Sequence, residues 1–117
     1  MPSHFITLAE AKALTSNFKK SHEKLLHADF KGKGALPVCE TFSREAFDVV
    51  LAKPGCKGLR IYFAMDNTDM VKVVIVGVNE KNEDMITVSE GKDDPNDIID
   101  QGTRCPVTCP PPSPLNG

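Results

Sequence analysis

With 117 residues, of which 40% are apolar and 26% charged, the chain is long enough to form one globular domain with its own core. Its net charge of −2 is divided unevenly, with ten Lys and Arg against six Asp and Glu in residues 1–60 and four against ten in residues 61–117. The basic half has no Arg cluster interleaved with aromatic residues, which argues against nucleic-acid binding, and no apolar run approaches the roughly 18 residues that cross a bilayer.

The first predicted element is an amphipathic helix from Ile6 to about His27. Thr7 and Glu10 fit a capping box, which marks the start of a helix. Apolar residues then recur at three- and four-residue spacing, which places them on one helix face that we expect to be buried. These residues are Leu8, Ala11, Leu14, Phe18, Leu25 and Leu26.

A basic, glycine-rich connector at residues 31–34 separates this helix from a short apolar run at residues 35–39. Pro37 restricts that run to an edge strand, because proline cannot donate to a central ladder. Ser43 is a suitable N-cap for a second helix, from Arg44 to about Ala52, which ends before Pro54.

The rest of the chain is predicted to be arranged around a β-hairpin, Leu59–Met65 and Met70–Val78, whose branched and aromatic side chains suit a pleated sheet. The residues Asp66–Asp69 supply the turn. A turn of this length pairs Met65 with Met70, and each further pair follows from that register.

This register would place Ile61 opposite Val74 and divide the hairpin into two apolar faces. The four consecutive apolar residues from Val73 to Val76 do not alternate with polar ones, which favours a central strand that is buried on both faces. We therefore expect Val74 and Val76 to be almost fully buried.

Beyond the hairpin, Met85–Ser89 is predicted to be a third strand, and the eight acidic residues between Glu80 and Asp100 to form a solvated acidic face. Residues 102–117 contain five prolines and two cysteines and are predicted to form an extended tail. The predicted fold class is α+β: a small antiparallel β-meander of three to four strands packed with two helices, in one domain of residues 1–101, followed by the irregular tail of residues 102–117.

The four cysteines lie outside the predicted helices and strands, and their spacing leaves three states open. They could be free thiols, form one or two disulfides, or bind zinc as a tetrahedral set. The zinc alternative uses Cys39, Cys56, Cys105 and Cys109, but only the last two form a tight pair. Since no other cofactor is indicated, the main prediction is a protein without one.

One sheet face is expected to be covered only incompletely, because the second helix has only about two and a half turns at 3.6 residues each. We predict that this face binds a protein partner or a second copy of the chain in a homo-oligomer, with no role for nucleic acid or membrane. Its predicted residues are Tyr62, Val71, Val73, Ile75, Ile86 and Val88.

No catalytic constellation is evident in the sequence. We therefore expect a small non-catalytic structural or interaction protein, such as an accessory subunit of a larger assembly. The alternatives are a cysteine-based zinc-binding or redox-responsive module and a small enzyme with an unrecognised site. Met1–Glu10 lacks the basic and apolar regions of a secretory signal, so we expect a cytoplasmic protein, with signal-independent export left open.

Overall fold

A computed structural model describes residues 4–89, 92–93, 96–106 and 108–116 and confirms the α+β class. The chain forms two compact units. The first unit comprises Met1–Cys39 and Arg104–Gly117, and the second comprises Glu40–Thr103. The predicted division of the chain at residue 101 stays a prediction.

The first unit begins with helix α1, Leu8–Ser21, followed by short 3₁₀ turns at His22–Leu25 and Ala28–Phe30. The predicted capping box is confirmed, because the Thr7 hydroxyl accepts a hydrogen bond from the Glu10 amide at 3.1 Å. The helix ends six residues before the predicted His27.

The expected burial of the apolar stripe of α1 is wrong. No residue of α1 is buried, and Leu8 and Leu14 are each 61% exposed. The reason is the small core of this unit, in which Ala35 and Cys105 are the buried apolar residues of the part that the structure describes.

The C-terminal segment starts as strand rather than as an irregular tail. Thr103–Cys105 (β7) pairs with Cys39–Thr41 (β1) in a two-stranded sheet. Within the first unit, Val38 N–H donates to the Cys105 carbonyl at 2.8 Å. The tail that was predicted from residue 102 therefore begins with a short strand, and Pro110–Pro112 further along it are exposed.

The second unit is built on a three-stranded sheet and helix α2, Arg44–Leu51. The strands are β2 (Gly58–Met65), β3 (Val71–Val78) and β6 (Ile98–Ile99), in the order β2-β3-β6. A separate hairpin joins β4 (Val88–Ser89) and β5 (Lys92–Asp93).

The prediction that the second hairpin strand is central is confirmed. Ile75 and Val76 are 3% and 1% exposed, and as neighbours on a strand they face opposite sides of the sheet. Val76 is buried as predicted, whereas Val74 is only partly buried.

The predicted register of the hairpin is wrong by one residue, because Met65 pairs with Val71 and Ile61 pairs with Ile75. The cause lies in the turn. Asp69 N–H bonds to the Asp66 carbonyl at 3.2 Å, and Asp69 then adopts a left-handed conformation with φ of 64°. A turn followed by such a residue adds one position to the loop, which shifts every subsequent pair.

The predicted third strand is also placed differently. Asp84 and Met85 pair with β3 only briefly, through a bridge to Val78 and a hydrogen bond from Met85 N–H to the Gly77 carbonyl. The chain then leaves the sheet, and Ile98–Ile99 continues along the same edge of β3.

Candidate functional site

The most prominent feature of the second unit is an apolar surface on its edge strand. Ile61, Phe63 and Met65, which we call the β2 surface, are 57%, 82% and 57% exposed. Alternation along β2 places all three on one face, and the register adds Val71 and Val73 of β3 to that face. An uncharged set of this kind is unusual on a soluble monomer.

This surface is exposed because α2 covers only one end of the sheet. A Cβ atom added to Gly77 would lie 3.1 Å from Val50 Cγ1 and 3.0 Å from Cys56 Sγ, so helix and sheet are in close contact at that point. Since α2 has only eight residues, it extends about 12 Å. The end of this sheet face that carries Met65 therefore extends past α2 and is not covered by it, in agreement with the incomplete coverage expected of so short a helix.

The outer edge of β2 carries no neighbouring strand within the described residues. Hydrogen-bonded and non-hydrogen-bonded pairs alternate in an antiparallel ladder, and Asp66 N–H donates to the Met70 carbonyl at 3.1 Å. Counting back from that bond, Ala64 and Tyr62 bond to β3. The backbone groups of Phe63 and Ile61 therefore point outward, at the residues that also present the apolar side chains.

The opposite face of β2 is held by a polar network. The Arg60 guanidinium and the Tyr62 hydroxyl both donate to the Asp84 carboxylate, and Arg60 also donates to the Asn82 carbonyl at 3.1 Å. The hydrogen bonds from Tyr62 and Arg60 lower the pKa of Asp84, and the bond to Asp84 raises the pKa of Tyr62. These hydrogen bonds hold Arg60, the charged residue of β2, on the opposite face, so the β2 surface is uncharged.

A buried ion pair lies next to α2. Asp97 is 1% exposed, and its carboxylate lies 2.6 Å from Lys53 Nζ and accepts a hydrogen bond from Thr87 N–H at 2.5 Å. The bonds from Lys53 and Thr87 lower the pKa of Asp97. The prediction that the acidic stretch is solvated is therefore wrong for Asp97, whereas Glu90 and Asp94 lie outside the described residues.

Two open cavities lie beside these features. A groove of about 680 Å³ runs between α2 and β6, with Val49 and Ile98 partly exposed along it. A smaller cavity of about 350 Å³ is lined by Lys53, Asp97 and Ile86. Neither brings together a nucleophile and a base within hydrogen-bond distance among the described contacts.

Two of the four cysteines, Cys105 and Cys109, form a disulfide with a Cα–Cα distance of 4.5 Å. Cys39 and Cys56 are free thiols, and Cys56 donates to the Gly58 carbonyl at 3.3 Å. Within the described residues, no three His, Cys, Asp or Glu side chains are grouped as metal ligands. A zinc site made of all four cysteines would require reduction of the disulfide, and it stays a prediction.

The residues predicted as a partner interface do not share one face. The observed register places Tyr62 on the opposite face from Val71, Val73 and Ile75, and Ile75 is buried. Ile86 is 43% exposed and lines the smaller cavity. The side chain of Val88 lies outside what the structure describes.

The sequence analysis therefore identified the two strands of the hairpin but missed Ile61, Phe63 and Met65 as the exposed set. It also missed the buried role of Asp97. A carboxylate directly before two isoleucines, in a stretch expected to be solvated, was the signal that pointed to burial.

No protein-family model matches the chain, and neither a curated protein nor a solved structure is significantly similar to it. Among the described helices, none has the length and apolar character needed to span a membrane.

Proposed function

We propose that this chain is a small interaction protein that docks a protein partner on the β2 surface. The observation that supports the proposal is the coincidence, at Ile61 and Phe63, of exposed apolar side chains with outward-pointing backbone groups. A partner in extended conformation can use both features at once, because strand addition obtains affinity from the main chain and specificity from side-chain contacts.

The surrounding structure supports a preformed docking surface. β3 is the neighbour of β2 in the sheet and is buried on both faces. Val50 of α2 lies against one face, and Val76 of β3 itself is buried on the other; both side chains are 1% exposed. The Arg60–Asp84–Tyr62 network fixes the reverse face of β2. A rigid strand loses little conformational entropy on binding, which favours affinity.

The exposed aromatic ring provides the expected anchor. Phe63 is 82% exposed, and aromatic side chains contribute disproportionately to binding energy at the centre of an interface. Replacement of Phe63 should therefore weaken binding much more than it affects folding.

Site-specific photo-crosslinking tests this function. The photoreactive residue p-benzoylphenylalanine is placed at position 63 and, as a control in the same unit, at position 51, where Leu51 is 46% exposed. Both proteins are irradiated in an extract of the source organism, and the products are identified by mass spectrometry. We expect one discrete product from position 63 and no product of the same mass from position 51.

A different pattern would contradict the proposed function. Equal products from positions 63 and 51 would mean that the β2 surface has no special affinity. Absence of any product from position 63, with both proteins folded, would mean that the surface docks no protein under these conditions.

The disulfide favours redox response as a second candidate function. Cys105 is 7% exposed and forms the disulfide with Cys109, and its carbonyl accepts the hydrogen bond from Val38 N–H. Reduction would then loosen the first unit. A thiol assay on the denatured protein should count two thiols without reductant and four with it, and melting curves with and without reductant would show whether reduction changes stability.

A further inference from the structure

We infer that the occupant of the β2 surface is a second copy of this chain, paired antiparallel through β2 to make one continuous six-stranded sheet. This inference rests on the proposed function and names its partner. It follows from the geometry of the edge, the absence of charge on the contact face and the symmetry of the strand.

The backbone geometry restricts how two copies can pair. The outward N–H and C=O groups belong to odd-numbered residues of β2, such as Ile61 and Phe63. Two antiparallel β2 edges form hydrogen bonds only if odd residues of one copy lie opposite odd residues of the other. Such a register relates the copies by a two-fold axis perpendicular to the sheet, so both β2 surfaces lie on the same side.

A register centred on Tyr62 pairs seven residues of each strand, Leu59 to Met65, and so includes the whole β2 surface. It places Ile61 of each copy opposite Phe63 of the other, and an aromatic residue opposite a β-branched one is a favourable cross-strand pair. Arg60 then lies opposite Ala64, so the two guanidinium groups do not face each other. Leu59 lies opposite Met65, which completes an uninterrupted apolar row.

The edge has none of the features that prevent such pairing. Natural edge strands are protected by lysine, proline, inward charges or bulges. In β2, Arg60 is the only charged residue, and Asp84 and Asn82 hold its side chain on the opposite face. The eight-residue strand contains no proline.

The contact area indicates a weak but specific dimer. The side chains of Ile61, Phe63 and Met65 from both copies, with the paired backbone, would bury on the order of 1,000 Å², which is near the lower limit for a specific interface. A partner of different sequence would have to reproduce the same uncharged row, which a second copy already carries.

Sedimentation equilibrium of the purified full chain tests the inference between about 1 and 300 μM, a range that brackets micromolar dissociation constants. The monomer has a mass of 12.7 kDa. We expect wild type to dimerise in this range and Phe63→Lys to weaken dimerisation at least about tenfold, because it brings two cations into an apolar contact. The matched control is Leu14→Lys, an equally charged change at a 61% exposed position of α1, which should leave dimerisation unchanged.

A cysteine pair tests the register. Tyr62→Cys places the two new thiols at the two-fold axis, where non-hydrogen-bonded partners have Cα atoms about 4.5 Å apart and can form a disulfide. Ala64→Cys, two residues from the axis, is the control and should not crosslink. Both proteins are oxidised beside wild type, which reports any contribution of Cys39 and Cys56.

Three results would overturn the inference: a wild-type protein that stays monomeric throughout, a dimer insensitive to Phe63→Lys, and a dimer abolished by Leu14→Lys. The last would assign dimerisation to the α1 face. A monomeric protein that still gives the position-63 crosslink to a different polypeptide would retain the docking function and reject self-pairing. A protein that neither dimerises nor crosslinks would reject both.

Discussion

The buried ion pair between Lys53 and Asp97 should respond asymmetrically to mutation. Asp97 is 1% exposed, whereas the Lys53 side chain is 20% exposed. Asp97→Asn retains an oxygen for the Thr87 N–H and leaves a lysine that can turn toward water. Lys53→Met instead leaves a buried carboxylate without its cation.

The expected magnitudes follow from that difference. Asp97→Asn removes one charge-assisted hydrogen bond, which corresponds to about 2 kcal/mol of unfolding free energy. Lys53→Met should cost about 3–4 kcal/mol, as expected when one partner of a buried pair is removed. The double variant should be less destabilised than the sum of the two, because no unpaired charge remains.

Urea denaturation followed by tyrosine fluorescence is a suitable assay. Tyr62 is the only tyrosine, and the chain has no tryptophan, so the signal reports on the second unit. A control variant, Glu80→Gln, changes an exposed carboxylate in the same unit and should cost less than either. The reasoning is refuted if Lys53→Met is no more destabilising than Asp97→Asn, or if the effects of the two substitutions are simply additive.

Three further predictions concern pH, packing and the C-terminal segment. The pKa of Asp97 is lowered in the folded protein, so the stability that its ionised form contributes is present above the unfolded pKa of about 4 and is lost as pH falls through the lower folded pKa. Urea midpoints measured at pH 7, 5, 4 and 3 should therefore decline below pH 5, and they should decline less steeply in Asp97→Asn. Gly77→Ala should cost about 1–3 kcal/mol by overpacking against Val50 and Cys56, whereas Gly58→Ala, where the nearest atom lies at 3.5 Å, should cost clearly less in the same denaturation assay. Truncation after Gly102 removes Cys105 and its bond to Val38, so the amides of the first unit should lose protection from hydrogen exchange; unchanged protection would show that the segment is dispensable.

The sequence predicted the elements better than it predicted their surroundings. The branched residues of β3 and the capping box at Thr7 act locally, so both could be identified without tertiary information. The register could not, since it depends on the left-handed conformation of Asp69, a single residue in the turn. A shift of one position moved Phe63 and Val73 onto a shared face and separated Tyr62 from them.

Burial was harder to predict because it depends on what each face meets. The apolar stripe of α1 has the pattern of a core helix, but its unit supplies too small a core to cover Leu14. Asp97 belongs to an acidic stretch whose composition favours solvent exposure, and only the position of Lys53 at the end of α2 explains its burial. The sequence could therefore place the candidate site on the hairpin, but it could not identify which hairpin residues form the exposed surface.

Amide hydrogen exchange along β2 tests the central claim most directly. At low micromolar concentration, the outward N–H groups of Ile61 and Phe63 should exchange rapidly, while those of Tyr62 and Ala64, bonded to β3, should be protected. At several hundred micromolar the outward amides should become protected in wild type but not in Phe63→Lys. Protection of Ile61 and Phe63 at the lowest concentration, unchanged by Phe63→Lys, would contradict the claim, because the edge of β2 would then be covered within a single chain.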